Sequence, residues 1–331
     1  MLVINIRKSR VVETPHEIKI SQKPGLNNPF FHFYPSKITL YELYKKGPYP
    51  LDSEHMDDIL RYVGSVIDYN CRDDAEVVIF IISDPNHYLL RQDIRETYGK
   101  NHVSYKYSFS EALPRNVSHC LLFSIGYRDD ITLNQQVDYE AYIYNDIIRI
   151  PIFDVYRETA HKIIFTLHLL DRLKHNFEYV LKSDDDIFLK INKIIPDLHY
   201  LEKKHVFIGH LVEGATPIRN KNNKWYVSED DFSEDVYAPY LMGSCYIFRR
   251  SIIQNLTIAH YNTTLIPMED VHISYLVTSL GYNLTNSPHY HHCINFLDCK
   301  NSYIVDMGRN MFRRNYLWGF LKGYVTYETE N

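Results

Sequence analysis

Tyr179-Val-Leu-Lys-Ser-Asp-Asp-Asp-Ile-Phe-Leu189 is the stretch that decides the fold. Apolar residues open and close it, and three consecutive aspartates fill its centre. A surface turn rarely sits between two buried segments, so the pattern predicts a strand that runs straight into an acidic loop. In open α/β sheets, ligands bind just beyond the carboxyl ends of strands, and the triplet falls there. Hard divalent cations take oxygen ligands and usually share them with substrate phosphates. Residues one apart in extended chain point the same way. Asp184 and Asp186 could therefore serve Mn²⁺ or Mg²⁺ together, with Asp185 turned away to support the loop. The competing reading is a solvated acidic turn.

Working outward, Val77-Val-Ile-Phe-Ile-Ile-Ser83 is a continuous apolar run, as expected of a strand buried on both faces of a parallel sheet. Asp84-Pro85-Asn86 reads as a turn, and His87 to Tyr98 as a helix stopped by Gly99. Cys120 to Ile125 reads as a second buried strand, Tyr139 to Tyr144 as a short helical stretch, and Ile147 to Phe153 as extended. From Arg157 to His175, Ala160, Ile163, Ile164, Leu167, Leu170 and Leu173 recur at helical spacing, which predicts a helix with one buried stripe. Strand, helix and strand in this order imply right-handed βαβ units. Residues 1–74 are polar and interrupted by Pro24, Pro35, Pro48 and Pro50. They read as a stem or arm with one amphipathic helix between Asp52 and Tyr69.

The formal charge of −5 gives no global basic field, which argues against a protein built to wrap nucleic acid. Tyrosine (29 residues) far outnumbers tryptophan (2), which suits polar aromatic grooves as well as half-buried strand positions. Of five cysteines, Cys293 and Cys299 are close enough in sequence for a local disulfide, and the odd total leaves one thiol unpaired within the chain. Asn116, Asn255, Asn262 and Asn283 each begin an N-glycosylation sequon, which leans towards a luminal location. Met1 to Phe30 carries no apolar run long enough for a signal peptide or span, so either the protein is not secretory or an anchor lies upstream.

Several motifs recur in a particular order. They are Arg91-Gln-Asp-Ile-Arg-Glu-Thr-Tyr-Gly99, Glu140 with Tyr144-Asn-Asp-Ile147, Asp154-Val-Tyr156 and Lys182-Ser-Asp-Asp-Asp-Ile-Phe188. Pro217-Ile-Arg-Asn220, Lys224-Trp-Tyr-Val227, Tyr237-Ala-Pro-Tyr240 and Glu269-Asp-Val271 follow. The ordered set resembles the β-1,3-galactosyltransferase family (glycosyltransferase family 31), which includes β-1,3-N-acetylglucosaminyltransferases. The resemblance runs over residues 75–285.

It implies an α/β GT-A-type (nucleotide-diphospho-sugar transferase) fold, a Rossmann-like mixed sheet flanked by helices, at 75–300. A stem-like 1–74 would precede it and an extension at 301–331 would follow. It also implies a UDP-sugar donor, Mn²⁺ or Mg²⁺, and inverting transfer to a glycan acceptor on a glycoprotein or glycolipid. The location implied is the luminal face of the Golgi membrane, although the family's membrane anchor is not visible in this chain. On the matching positions, Asp184 and Asp186 fall on the metal and nucleotide motif and Asp270 on the catalytic base.

An inverting transfer needs a carboxylate within reach of the acceptor hydroxyl. A metal can take the charge of the leaving diphosphate. Asp270 is the first choice of base and Glu269 the second. Both also read as acids favoured at a helix N-terminus. Arg91, Lys182, Trp225 and Glu269 are the donor-side candidates beside Asp184. Arg91 and Arg95 lie four apart on one helix face, where guanidinium could meet phosphate or pair with Glu96, Glu140 or Asp146. Arg95 is read as structural, and Lys162 as lying on the polar side of its helix. Trp225 and Tyr226 could wall a sugar or pack in a strand. Among His289, His291 and His292, His291 is the candidate further metal ligand.

Two departures from the family pattern stand out: Tyr98 where Trp is usual, and Leu241-Met-Gly-Ser-Cys245 in place of a Cys-Ser-Gly-Gly-like run. The function implied is galactose transfer from UDP-galactose in β-1,3 linkage. UDP-N-acetylglucosamine as donor, and a non-catalytic sugar-binding relative, are the alternatives.

Overall fold

In the computed structural model, the described residues are 56–71, 75–99, 119–173, 175–291, 293, 299 and 301–308. Four apolar runs form adjacent parallel strands: β1 (Val77–Ile82), β2 (His119–Tyr127), β3 (Ile147–Phe153) and β4 (Tyr179–Asp184). Alternate side chains enter two different cores, Val78 and Phe80 on one face and Val77, Ile79 and Ile81 on the other. That is why these runs are predominantly apolar rather than alternating.

The second half of the sheet changes direction. β7 (Tyr240–Arg249) is antiparallel to both β4 and β6 (Phe207–Val212), and β8 (Leu284–Asn286) is parallel to β6. The order is β3-β2-β1-β4-β7-β6-β8. This is the mixed, Rossmann-like sheet flanked by helices that the family resemblance implies. A second, two-stranded sheet pairs β5 (Ile187–Leu189) with β9 (Ile304–Asp306), which lies in the stretch read as a C-terminal extension.

Helices cover both faces: α1 (Met56–Asn70), α2 (Tyr88–Glu96), α3 (Ile131–Tyr144), α4 (Thr159–Asp171), α5 (Ile191–Leu198), α6 (Ile253–Tyr261) and α7 (Glu269–Ser279). α1 contributes Ile59, Val63, Val66 and Ile67 to one core, and the Cys71–Cys120 disulfide ties its end to β2. α3 begins eight residues before the expected Tyr139, because the Asp130 side chain caps it by accepting from the Leu133 N–H at 3.0 Å. Its first turns are largely exposed and carry no apolar stripe, so periodicity could not reveal them.

The expected single stripe on α4 is corrected. Ala160, Lys162, Ile163, Ile164, Phe165, Thr166, Leu167, Leu169 and Leu170 are all buried, since α6 and α7 pack on its outer side. Cys293 and Cys299 form the anticipated local disulfide, and Cys245 is the buried thiol left over. Asn255, Asn262 and Asn283 are exposed, whereas Asn116 and His292 lie outside the described residues. Among the described residues, no helix is long and apolar enough to cross a membrane.

Candidate active site

The centre of the site is a buried lysine. Lys182 sits on β4 directly opposite Tyr246 of β7 and has no solvent exposure. Its three N–H groups donate to Asp184 Oδ1 at 2.7 Å, Glu269 Oε1 at 3.0 Å and the Gly243 carbonyl. The carboxylates hold this ammonium charged, well above the ordinary lysine range, despite its burial. Lys182 therefore works from beneath the surface, joining the end of β4 to the start of α7.

Glu269 and Asp270 form the first turn of α7, where the helix dipole favours negative charge. They face different surroundings. Glu269 is buried and also accepts the Tyr246 hydroxyl at 2.7 Å, and burial pushes its carboxyl up to about 7 against the pull of Lys182. Asp270 is half-buried and accepts the N–H groups of Gly243 at 3.2 Å and Val271 at 2.9 Å. Desolvation raises its carboxyl as well. Both acids depend on Gly243. A Cβ at that position would lie 2.5 Å from Glu269 Oε1 and 3.2 Å from Asp270 Oδ2. The one glycine kept in the altered 241–245 run is thus the one the acids press against.

The acidic loop is shared out unevenly. Asp184, at the end of β4, has a side chain 42% exposed. Asp185 turns inward to His87 Nδ1 at 2.8 Å, fixing the loop to the start of α2. Asp186 is crowded by Asp184, Asp185 and Asp306, and burial with these charges pushes its carboxyl up to about 6. Asp306 reaches it through the β5–β9 pairing, in which Ile187 lies opposite Asp306. Tyr98 supports the same loop: its hydroxyl donates to the Ile187 carbonyl at 2.9 Å and its ring packs edge-on against Phe188. A phenol at this position still donates a hydrogen bond to the chain beside the aspartates.

Arg91 is completely buried, and each of its five N–H groups is taken. Two donate to Glu140, and the others to Ser83 Oγ and to the Asp84 and Pro85 carbonyls. It sets the β1–α2 turn from within. Arg95 pairs with Glu140 and Asp146, as expected of a structural residue. Lys162, read as lying on the polar side of its helix, does not face solvent. It is buried and donates to Asp154 Oδ2 at 2.6 Å and the Ser83 carbonyl at 2.9 Å.

The segment between β6 and β7 folds over the mouth of the site. Arg157 pairs with Asp231 at 2.7 Å, and Lys224 Nζ lies 4.6 Å from the Tyr156 ring centre. Tyr156 is held protonated by burial and by the charges of Asp270, Glu269 and Asp184, which places its hydroxyl in their field. Trp225 is half-exposed on this segment, and Tyr226 makes an isolated bridge to Ile218. Beside Asp270, a cavity of about 410 Å³ is lined by Phe232, Tyr237, Ile266, Val271 and Tyr275, among others. The buried Tyr237 hydroxyl has no hydrogen-bond partner among the described residues.

His291 is exposed, with its ring edge-on to His210 at 5.0 Å, while His289 stacks on Tyr303. Among the described residues, no three His, Cys, Asp or Glu side chains converge as a metal cage. Two carboxylates still suit a hard cation that completes its shell with phosphate oxygens, and the crowding at Asp186 is what such a cation relieves. Tyr156, Tyr246, Gly243 and Asp306 are the site residues to which the sequence analysis gave no role. Tyr156 stood inside a quoted motif. Gly243 stood in the altered 241–245 run, while Tyr246 and Asp306 are brought in by strand pairing, which leaves no local signal.

A model of the family described as galactosyltransferase matches residues 90–288. The chain is similar to beta-1,3-galactosyltransferase 1 of Mus musculus, 27% identical over 219 residues, which cover 65% of this chain and 64% of that protein. Similarity to beta-1,3-galactosyltransferase 2 of Homo sapiens is 24% over 240 residues, covering 69% of this chain and 54% of that protein. The chain thus spans between about half and just under two thirds of these relatives' length. Among solved structures, the apo WbbM bifunctional glycosyltransferase is similar with a TM-score of 0.39 and 11% identity, over 70% of this chain and 45% of that one. The chain belongs to the galactosyltransferase family.

Proposed function

We propose that the protein transfers galactose from UDP-galactose to a sugar hydroxyl of a glycoprotein or glycolipid, forming a β-1,3 linkage with inversion, at the luminal face of the Golgi membrane. The observation that carries this reading is the division of labour at the start of α7. Asp270 is half-buried and oriented by two backbone N–H groups, while its neighbour Glu269 is locked inward on Lys182 and Tyr246.

Asp270 takes the proton of the acceptor hydroxyl as that oxygen bonds to the anomeric carbon. The bond from the anomeric carbon to the phosphate oxygen breaks on the opposite side, and its electron pair leaves with UDP. Asp184 and Asp186 would hold a divalent cation, which supplies positive charge against the diphosphate. Lys182 keeps Asp184 and Glu269 in register, Arg91 holds the β1–α2 turn, and Trp225 flanks the donor. The acceptor would approach past the cavity at Tyr237 and Tyr275, which is lined by Val271, the residue that follows Asp270.

The test is a UDP-release assay with a panel of UDP-sugars, with and without Mn²⁺, on wild type and Asp270→Asn. UDP-galactose is expected to be turned over, and the variant to lose about 10²–10⁴-fold in kcat while still binding donor. Turnover of UDP-N-acetylglucosamine alone would replace galactose in the proposal. Absence of turnover or binding with every donor would end the enzyme reading.

A further inference from the structure

The helix that carries Glu269 and Asp270 begins without the usual device. Its N-cap is Met268, and no side chain caps it. Helices normally rely on a Ser, Thr, Asp or Asn there to occupy an orphan N–H. Here the contact comes from inside the helix and runs backwards. His272, fully buried one turn into α7, accepts the Ile266 N–H on Nδ1 at 3.2 Å. Its other ring nitrogen, Nε2, lies 2.9 Å from Nδ1 of His260 on α6.

These two contacts fix the protons. Since Nδ1 of His272 accepts, a neutral ring carries its proton on Nε2 and donates it to His260 Nδ1, so His260 in turn is protonated on Nε2. We propose that His272, braced by His260, is a positioning residue that latches residues 262–268 to α7 and thereby sets the direction of Glu269 and Asp270. This inference rests on the proposed role of Asp270.

The latch works only with uncharged rings. A second proton on His272 would sit on Nδ1 and face the Ile266 N–H, donor against donor. The surroundings favour the neutral form. His161 of α4 lies edge-on to His260 at 4.9 Å, and burial with these neighbouring rings pushes His260 down to about 3 and His272 to about 4. The other titratable and charged groups on the packed elements are Glu158, paired with His161, and Lys162, paired with Asp154. His168 and Asp171 on α4, Tyr261 on α6, Tyr240, Cys245, Tyr246 and Arg249 on β7, and Glu269, Asp270 and Tyr275 on α7 complete the set. The carboxylates that could stabilise an imidazolium here are Glu158, which engages His161, and Glu269 and Asp270, which are bound to Lys182 and to backbone N–H groups.

The experiment compares wild type with His272→Phe and His272→Asn. An asparagine Oδ1 can stand where Nδ1 stood and accept the Ile266 N–H, but it does not titrate. His272→Phe is expected to lower kcat about 10–100-fold with donor KM changed less than about twofold, and His272→Asn to restore most of the loss. Hydrogen exchange at the Ile266 amide, which needs no activity, is expected to quicken in His272→Phe and stay slow in His272→Asn. On acidification from pH 6 to 3.5, through the range in which His272 gains its second proton, protection corrected for intrinsic exchange should fall in wild type and not in His272→Asn. Unchanged Ile266 protection in folded His272→Phe, or a change in donor KM alone, would overturn the latch. Should no variant or wild type transfer sugar, the reading of Asp270 fails, while the exchange data still decide whether the latch exists.

Discussion

Two buried ion-pair knots tie this domain together, and they differ in charge balance. Behind the β1–α2 turn, Arg91 and Arg95 meet Glu140 and Asp146, two guanidinium groups for two carboxylates, with every N–H of Arg91 matched. Between β4 and α7, the single ammonium of Lys182 serves Asp184 and Glu269, with Asp270 adjoining. The first knot is complete and has nothing further to bind. The second carries surplus negative charge and exposes part of it at Asp184, so a cation or an acceptor proton is welcome there. A balanced buried knot therefore reads as scaffold, and an unbalanced one at a strand end reads as a working site.

The sharpest way to break the comparison is Arg91→Met. It leaves Glu140 with one partner and strands the turn carbonyls, so chemical denaturation should show a loss of about 3–5 kcal/mol. A loss below about 1 kcal/mol would mean that the knot is not structural. Lys182→Met should be milder, about 1–3 kcal/mol, because Glu269 can escape by binding a proton. The sign follows from linkage. A carboxyl raised above its ordinary range in the folded state holds a proton that the unfolded chain has released, so stability falls as pH rises through that range. Lys182→Met should thus be more damaging at pH 8 than at pH 6, and adding Glu269→Gln should remove that difference. The smallest effect sharpens the contrast at the open end: Mn²⁺ at ten times its Kd should stabilise the wild type by about 1.4 kcal/mol. Asp186→Asn should abolish this stabilisation in thermal melts, and Arg95→Lys should leave it in place.

The parallel half of the sheet was legible because its strands are built on apolar runs buried on both faces. The acidic triplet and the Glu269-Asp270 pair were equally visible, since both stand at element ends. What stayed hidden depends on partners far away in sequence. Lys162 looks solvated until Asp154 is folded against it, and Lys182 gives no sign that Glu269 lies across β7. Strands β6–β8 carry mixed side chains, so neither the reversed direction of β7 nor the need for Gly243 can be read from spacing. Cys71 and Cys120 likewise have no common motif, and only the packing of α1 against β2 brings them together.

The short β5–β9 ladder has a bearing on how the site comes into being. Ile187 lies across from Asp306, so the loop bearing Asp184 to Asp186 gains its second edge only after nearly all of the described chain has emerged. In synthesis from the N-terminus, the parallel strands and the Arg91 knot are available early, whereas the acidic loop waits for one of the last described segments. The Cys293–Cys299 bridge shortens that final search by holding the return of the chain close to β9. Assembly of the acidic loop is in this way coupled to synthesis of the chain through Asp306, and a chain cut before Ile304 would lose the strand that closes the aspartates.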